Sequence, residues 1–229
     1  AQNETIDACL VGEPTNPHHV GEMIKIGRRG SVNVDITVHG RAGHAAYPEL
    51  AQNPIPVLLT YLHQVIQTPL DQGTDHFSPS NFEITSIDVG NPTRNIIPAL
   101  ATAKANIRFN TLQSREGLLK KLQTIAKEFS LSIEISTNQG CDAFMSKDQN
   151  LIDVVRLAVA EICGKDPCLS TSGGTSDARF IKDICPVIEF GLVSATAHHI
   201  DEQIAVSEIK LLESIYLKVL NNYFTTTRA

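Results

Sequence analysis

Between residues 32 and 38 every second side chain is apolar: Val32, Val34, Ile36 and Val38 alternate with Asn33, Asp35 and Thr37. A period of two puts successive side chains on opposite faces of an extended strand, so this segment must bury one face and leave the other polar. Residues 101–109 repeat the pattern, with Ala101, Ala103, Ala105, Ile107 and Phe109 set against Thr102, Lys104, Asn106 and Arg108. Leu131, Ile133 and Ile135 alternate in a third strand, and a less regular one covers about 82–89.

Helices to cover the apolar face stand between these strands. Asn53-Pro54 predicts a start, with Asn as the cap and Pro at the first helical position, and Leu58, Leu62, Val65 and Ile66 recur behind it. Ser114 can cap a second helix carrying Leu118, Leu122, Ile125 and Phe129. The resulting order, β-α-β-β-α-β, is the ferredoxin-like split motif, an antiparallel sheet covered on one face by two helices. It is expected as a compact inserted domain over 30–142.

The flanks, 1–29 and 143–229, read differently. Segments 6–11 and 185–191 have the character of buried strands, while 149–163 and 207–223 space their apolar residues as amphipathic helices, the first ending at Gly164. Together they predict one α/β layer around the insertion. A chain of 229 residues, 42% hydrophobic and 19% charged, has ample material for such cores.

A net charge of -6 argues against nucleic acid as the main partner, because phosphate binding needs clustered Lys and Arg. Cys9, Cys141, Cys163, Cys168 and Cys185 are odd in number and form no CxxC pair, which excludes a disulfide framework or zinc ribbon and predicts reduced thiols in a cytoplasmic protein. No run of about 18 apolar residues is present, so no membrane helix is expected. The opening Ala1-Gln2-Asn3-Glu4-Thr5 runs at once into strand-like sequence without an initiator methionine, and the chain is expected to be part of a longer protein.

Two candidate metal ligands follow strand-like runs: Glu13 after Ala8-Cys9-Leu10-Val11, and His198 after Pro186-Val187-Ile188-Glu189-Phe190. The carboxyl edge of an α/β sheet is where loops converge to build a site, although a solvated turn and a polar loop would also use these residue types. Ser172-Gly-Gly-Thr-Ser-Asp177 precedes a short helix and suits either an anion on exposed N–H groups or a turn capped by Ser176 or Asp177. Arg28 and Arg108 can each hold a carboxylate bidentately or lie solvated. His44, in Gly43-His-Ala-Ala-Tyr-Pro48, is placed to donate to an oxyanion or move a proton, or is a loop histidine with no task.

Taken in order, Val11-Gly-Glu-Pro-Thr15, Gly27-Arg-Arg-Gly-Ser31, Gly43-His-Ala-Ala-Tyr-Pro48, Asn95-Ile-Ile-Pro98, Asn106-Ile-Arg108, Ser172-Gly-Gly-Thr-Ser-Asp-Ala-Arg179 and Ala195-Thr-Ala-His198 resemble a family of zinc amidohydrolases. It is the succinyl-diaminopimelate desuccinylase family, within the aminoacylase, acetylornithine deacetylase and carboxypeptidase G superfamily. The resemblance implies a zinc-peptidase-like α/β catalytic domain with an inserted dimerisation or lid domain, and a homodimer built through that insertion. It implies two zinc ions per subunit, replaceable by cobalt, and cleavage of N-succinyl-LL-2,6-diaminopimelate to succinate and LL-2,6-diaminopimelate in lysine and meso-diaminopimelate biosynthesis.

By the same resemblance Glu13 and His198, rather than His199, are metal ligands. His44 is a catalytic oxyanion donor, and Arg28, Tyr47, Asn95, Arg108, Gly174 and Thr175 bind substrate. The family's His-x-Asp and Glu-Glu motifs lie upstream of this sequence, so the chain is expected to be a remnant of the catalytic domain with little or no hydrolysis of its own. Ser194 stands where relatives often carry Asn. An acetylornithine deacetylase-like or other deacylase of the superfamily, and a non-catalytic dimerisation fragment, are the alternatives.

Overall fold

In a computed structural model describing residues 5–226, the alternating segment around Val34 is a ten-residue strand at the centre of a small antiparallel sheet. The chain reaches it through β1 (Cys9–Val11), β2 (Met23–Lys25) and β3 (Gly27–Arg28). Then follow β4 (Gly30–His39), β5 (Gly43–His44), α1 (Pro54–Gln67), β6 (Asn81–Asp88), β7 (Ile96–Ile97), β8 (Leu100–Phe109), α2 (Arg115–Ala126) and β9 (Ile133–Cys141). The return passes through β10 (Phe144–Met145), α3 (Gln149–Cys163), β11 (Cys168–Ser170), α4 (Ala178–Ile181), β12 (Val187–Glu189) and α5 (Val206–Thr226). These elements form two compact units, one running from Gly30 to Ala143 and the other combining the chain up to Arg29 with Phe144 onward.

In the first unit the strand order is β6-β8-β4-β9, all antiparallel, with β4 and β8 in register from Gly30 opposite Phe109 to His39 opposite Leu100. Val32, Val34, Ile36 and Val38 share a buried face with Ala101, Ala103, Ala105, Ile107 and Phe109, as the period of two requires. Onto that face α1 sets Leu58, Tyr61, Leu62 and Val65, and α2 sets Leu118 and Leu122. Both helices start where their caps predict: the Asn53 side chain accepts from the Ile55 N–H at 3.1 Å, and Ser114 from the Gly117 N–H at 3.1 Å. The fully buried Tyr61 keeps its hydroxyl satisfied by donating to the Leu122 carbonyl at 3.2 Å.

The second unit has a four-stranded mixed sheet in the order β1-β12-β2-β11, where β1 and β12 run parallel, β2 and β11 run parallel, and β12 meets β2 antiparallel. Ile24, Ile26, Ile188 and Phe190 pack with Leu151, Val155, Ala158 and Val159 of α3 and Ile215 and Val219 of α5. The Asp148 side chain caps α3 by accepting from the Leu151 N–H at 2.9 Å, and Gly164 ends it in the left-handed conformation. The two strands expected to be buried are shorter than expected, three residues each rather than six or seven, because their pairing is confined to Cys9–Val11 against Val187–Glu189, and only β12 is buried, β1 being half-buried at the end of the sheet. All five cysteines are unpaired, and no described helix is long and apolar enough to cross a membrane.

A Cβ added at Gly30 would lie well inside contact distance of the Phe109 ring, which is itself fully buried. Gly30→Ala is therefore expected to destabilise the antiparallel unit by about 1–3 kcal/mol, the usual cost of overpacking. Urea denaturation followed by circular dichroism checks this, and an unchanged midpoint would show that the ring moves aside freely.

Candidate active-site residues

Glu189, on β12, has 0% exposure, and a buried carboxylate survives only if its lone pairs are used. Here they are: Arg28 Nε donates to it at 2.9 Å, Arg28 Nη2 donates a second bond, and the Ser176 hydroxyl donates a third. Arg28 spends its remaining nitrogen on the Ser172 carbonyl, at 3.2 Å. Gly173 lets that approach happen, since its φ is +102° and a Cβ there would sit 2.5 Å from Arg28 Nη1. Gly174 and Thr175 are thereby held on an exposed turn whose inner side is tied to the sheet.

The cap expected at the start of α4 does not form. Asp177 makes no side-chain cap bond, and the Ser176 hydroxyl is taken by Glu189 instead. A buried charge outcompetes one exposed N–H for a hydroxyl because the carboxylate has no water to fall back on.

Beside this pair lies Lys25, 5% exposed, which reasoning from sequence missed. Its ammonium donates to Ser172 Oγ at 2.7 Å, Met23 Sδ at 2.9 Å and Ser170 Oγ at 3.2 Å. Burial lowers it to about 8, with Arg28 pushing the same way and Glu189 and Cys168 opposing.

Glu13 and His198 leave the same edge of the sheet. Parallel β1 and β12 carry the chain in one direction, and pairing persists beyond them, with Asn16 N–H to the Leu192 carbonyl at 3.2 Å and Ser194 N–H to the Asn16 carbonyl at 2.8 Å. The fully buried Asn16 fixes this segment: its Oδ1 accepts from the N–H groups of Gly21, Glu22 and Met23, and its Nδ2 donates to Gly191 at 2.6 Å. Glu13 is half-buried on the clamped segment, whereas His198 is exposed, the one described non-glycine residue with positive φ. Ser194 uses its hydroxyl on the Asn16 carbonyl at 3.2 Å. Among the described residues no group of three or more His, Cys, Asp or Glu comes together, so the described donors by themselves do not make up a zinc centre.

In the antiparallel unit, β5 pairs with β7 and extends the β4–β8 ladder: Gly40 N–H bonds the Ala99 carbonyl, Gly43 lies opposite Ile97 and His44 opposite Ile96. That pairing gathers His44, Tyr47 and Asn95. Ala45 N–H donates to the Asn95 carbonyl at 2.8 Å, and the His44 and Tyr47 rings are 5.8 Å apart. His44 Nδ1 accepts from the Ala46 N–H at 3.0 Å, so the imidazole's hydrogen is on Nε2, a donor on an exposed side chain. Arg108 is not part of this cluster. It stands on the open face of β8, opposite Ser31 and Asn81, about 26 Å along the strand from the Leu100 end where β7 enters, at 3.3 Å per residue.

Residues 26–134 match the peptidase dimerisation domain family. Its relatives are succinyl-diaminopimelate desuccinylases: it is 51% identical to that of Rhodospirillum centenum and 47% identical to that of Paracoccus denitrificans, in each case over 98% of this chain. The matches cover 58% and 60% of those proteins, so the chain spans less than two thirds of their length.

Among solved structures, aminopeptidase PepT from Bacillus cereus superposes with a TM-score of 0.74 at 22% identity, over 90% of this chain and 55% of that one. An M20 family metallo-carboxypeptidase from Sulfolobus solfataricus does so with a TM-score of 0.72 at 13% identity, over 95% and 63%. These likenesses bear on fold alone.

Glu189→Gln leaves Arg28 as a buried cation without its counter-charge and is expected to cost about 3–5 kcal/mol, the range for breaking a buried pair from one side. Replacing both, with Arg28→Met and Glu189→Leu, should cost clearly less than the single change. Urea unfolding of the two variants decides it, and a double variant at least as unstable as the single one would remove the ion pair as the organising contact.

Proposed function

We propose that this chain forms part of a metal-dependent amide hydrolase that cleaves N-succinyl-LL-2,6-diaminopimelate to succinate and LL-2,6-diaminopimelate, in lysine and meso-diaminopimelate biosynthesis. The observation that carries this is the identity of about half, over 98% of the chain, to proteins named for that reaction. Five unpaired thiols agree with a cytoplasmic setting.

In this reading Glu13 and His198 each give one ligand to a pair of zinc ions, for which cobalt can substitute. The metals supply Lewis-acid chemistry when bound. His44 donates from Nε2 to the oxygen that gains charge as the amide carbonyl is attacked, and its fixed tautomer supports the role. In the antiparallel unit Arg108 suits a charged end of the substrate and Tyr47 and Asn95 flank His44, and in the other unit the Arg28-anchored turn at Gly174 and Thr175 suits a substrate carboxylate. The length of β8 between Arg108 and the His44 cluster exceeds a small acylated amino acid. One unit of one chain does not put both groups on one substrate, which supports a homodimer in which each chain lends His44 to its neighbour's site.

Because two ligands do not hold a zinc pair, this chain alone is expected to retain well under two zinc ions after dialysis, measured by plasma mass spectrometry, and to hydrolyse little. A full complement of two would contradict the ligand assignment. In a polypeptide of the relatives' full length carrying this sequence, His44→Ala should lower kcat by about 10²–10³, as loss of an oxyanion donor does. Arg108→Ala should raise KM and lower kcat/KM. Faster hydrolysis of N-acetylornithine than of the succinyl substrate would instead support an acetylornithine deacetylase-like enzyme.

A further inference from the structure

Three charged side chains are buried among the described residues, Lys25, Arg28 and Glu189, and the one carboxylate is engaged by Arg28 and Ser176. Lys25 lies opposite Glu189 in the β2–β12 register yet makes no ion pair with a described carboxylate. Its three N–H donors go instead to neutral acceptors, Met23 Sδ, Ser170 Oγ and Ser172 Oγ. The sheet interior thus carries one cation more than it has counter-charges, directly beneath the turn that begins at Ser172.

The hydrogen positions around it follow by counting. Ser170 Oγ receives Lys25 and the Ser172 N–H, so its own hydrogen is free for Ser172 Oγ, 3.0 Å away. Ser172 Oγ then receives both Ser170 and Lys25 and has only its own hydrogen left to donate. Ser172 is exposed, and the N–H groups of Gly173, Gly174 and Thr175 donate to no acceptor among the described residues. A polarised hydroxyl and a run of open N–H groups over an unmatched cation is what an oxyanion requires.

We propose that Lys25 is a positioning residue whose ammonium, acting through the Ser172 hydroxyl, makes the Ser172–Thr175 turn a carboxylate-binding site. The inference rests on the desuccinylase reading for the identity of the carboxylate, but not for the charge. It gives the site a pH dependence that the guanidinium of Arg28 cannot: binding is strong while Lys25 is charged, below about 8, and fades as pH rises through that value. The other charged or titratable groups that act on Lys25 are Arg28 on β3, Glu189 on β12 and Cys168 on β11.

The test uses this chain labelled with ¹³Cα-glycine, with the Gly173 and Gly174 signals titrated with succinate at about pH 7 and about pH 9.5, where the ligand is a dianion throughout. Wild type should bind about threefold to fivefold more weakly at the higher pH, the upper part of the range for one solvent-exposed charge contact. Lys25→Gln should bind at both pH values as weakly as wild type does at the higher one. Cys168→Ser should keep the pH dependence, and Lys25→Arg should restore binding at high pH.

Should Lys25→Gln fail to fold, the wild-type titration decides alone, with the Lys25 ¹³Cε shift reporting whether succinate raises the ammonium's titration point. Flat wild-type binding, no binding, or equal binding by Lys25→Gln overturns the proposal. Binding of succinate without dependence on Lys25 leaves the desuccinylase reading standing. Lys25-dependent binding of sulfate without succinate overturns the carboxylate class and counts against that reading too.

Discussion

A fully buried carboxylate in a three-residue strand organises the unit that combines the chain up to Arg29 with Phe144 onward. Taking Glu189 and Arg28 out of water costs several kcal/mol per ion, and the pair is tolerable only because two guanidinium bonds and the Ser176 hydroxyl replace the lost hydration. Those bonds join three stretches far apart in sequence: β3 at Gly27–Arg28, the turn at Ser172–Ser176, and β12. The turn carries no regular structure of its own, so its shape is inherited from the charge beneath it. Loss of either charge would be felt first at Gly174 and Thr175, without either of those residues being touched.

Asn16 does the equivalent work at the other ligand-bearing segment. An amide can accept and donate at once, and this one closes three N–H groups and one carbonyl around the stretch that follows β1. Thr15 adds a bond to the Met23 carbonyl at 2.9 Å. Glu13 therefore sits on backbone fixed from two sides, whereas His198 stands in a left-handed turn of exposed residues, where such a conformation costs of order 1–3 kcal/mol unless its surroundings hold it. The two candidate ligands differ in preorganisation, and this difference fits residues that meet a metal from a rigid wall and from a loop.

The antiparallel unit was largely legible because its signals are local. Period-two alternation in β4 and β8, Asn53 and Ser114 as caps and Gly164 as a stop each depend on near neighbours in the chain. The charge network was not legible as a network, since pairing Arg28 with Glu189 is a tertiary fact. A trace of it was present all the same: Ile24-Lys25-Ile26 and Ile188-Glu189-Phe190 each set a charge inside an apolar run, and charges are seldom buried without partners. The two-residue strands β3, β5, β7 and β10 had no sequence signature, because each exists only where another segment arrives beside it. The cap expected at Ser176 failed for the same reason, as a local rule was overridden by a buried carboxylate distant in sequence.

His44 and Ser172, the two donors proposed to meet a ligand, are oriented by what the fold does to their other lone pairs. His44 can present Nε2–H because Ala46 N–H occupies Nδ1, and Ser172 can present its hydrogen because Lys25 and Ser170 occupy its oxygen. In neither case does a ligand have to reorient the donor before using it, and preorganisation of that kind favours stabilising developing charge. The same arrangement makes the donors fragile. Each depends on a neighbour that would not itself meet the proposed ligand, a backbone N–H in one unit and a buried ammonium in the other.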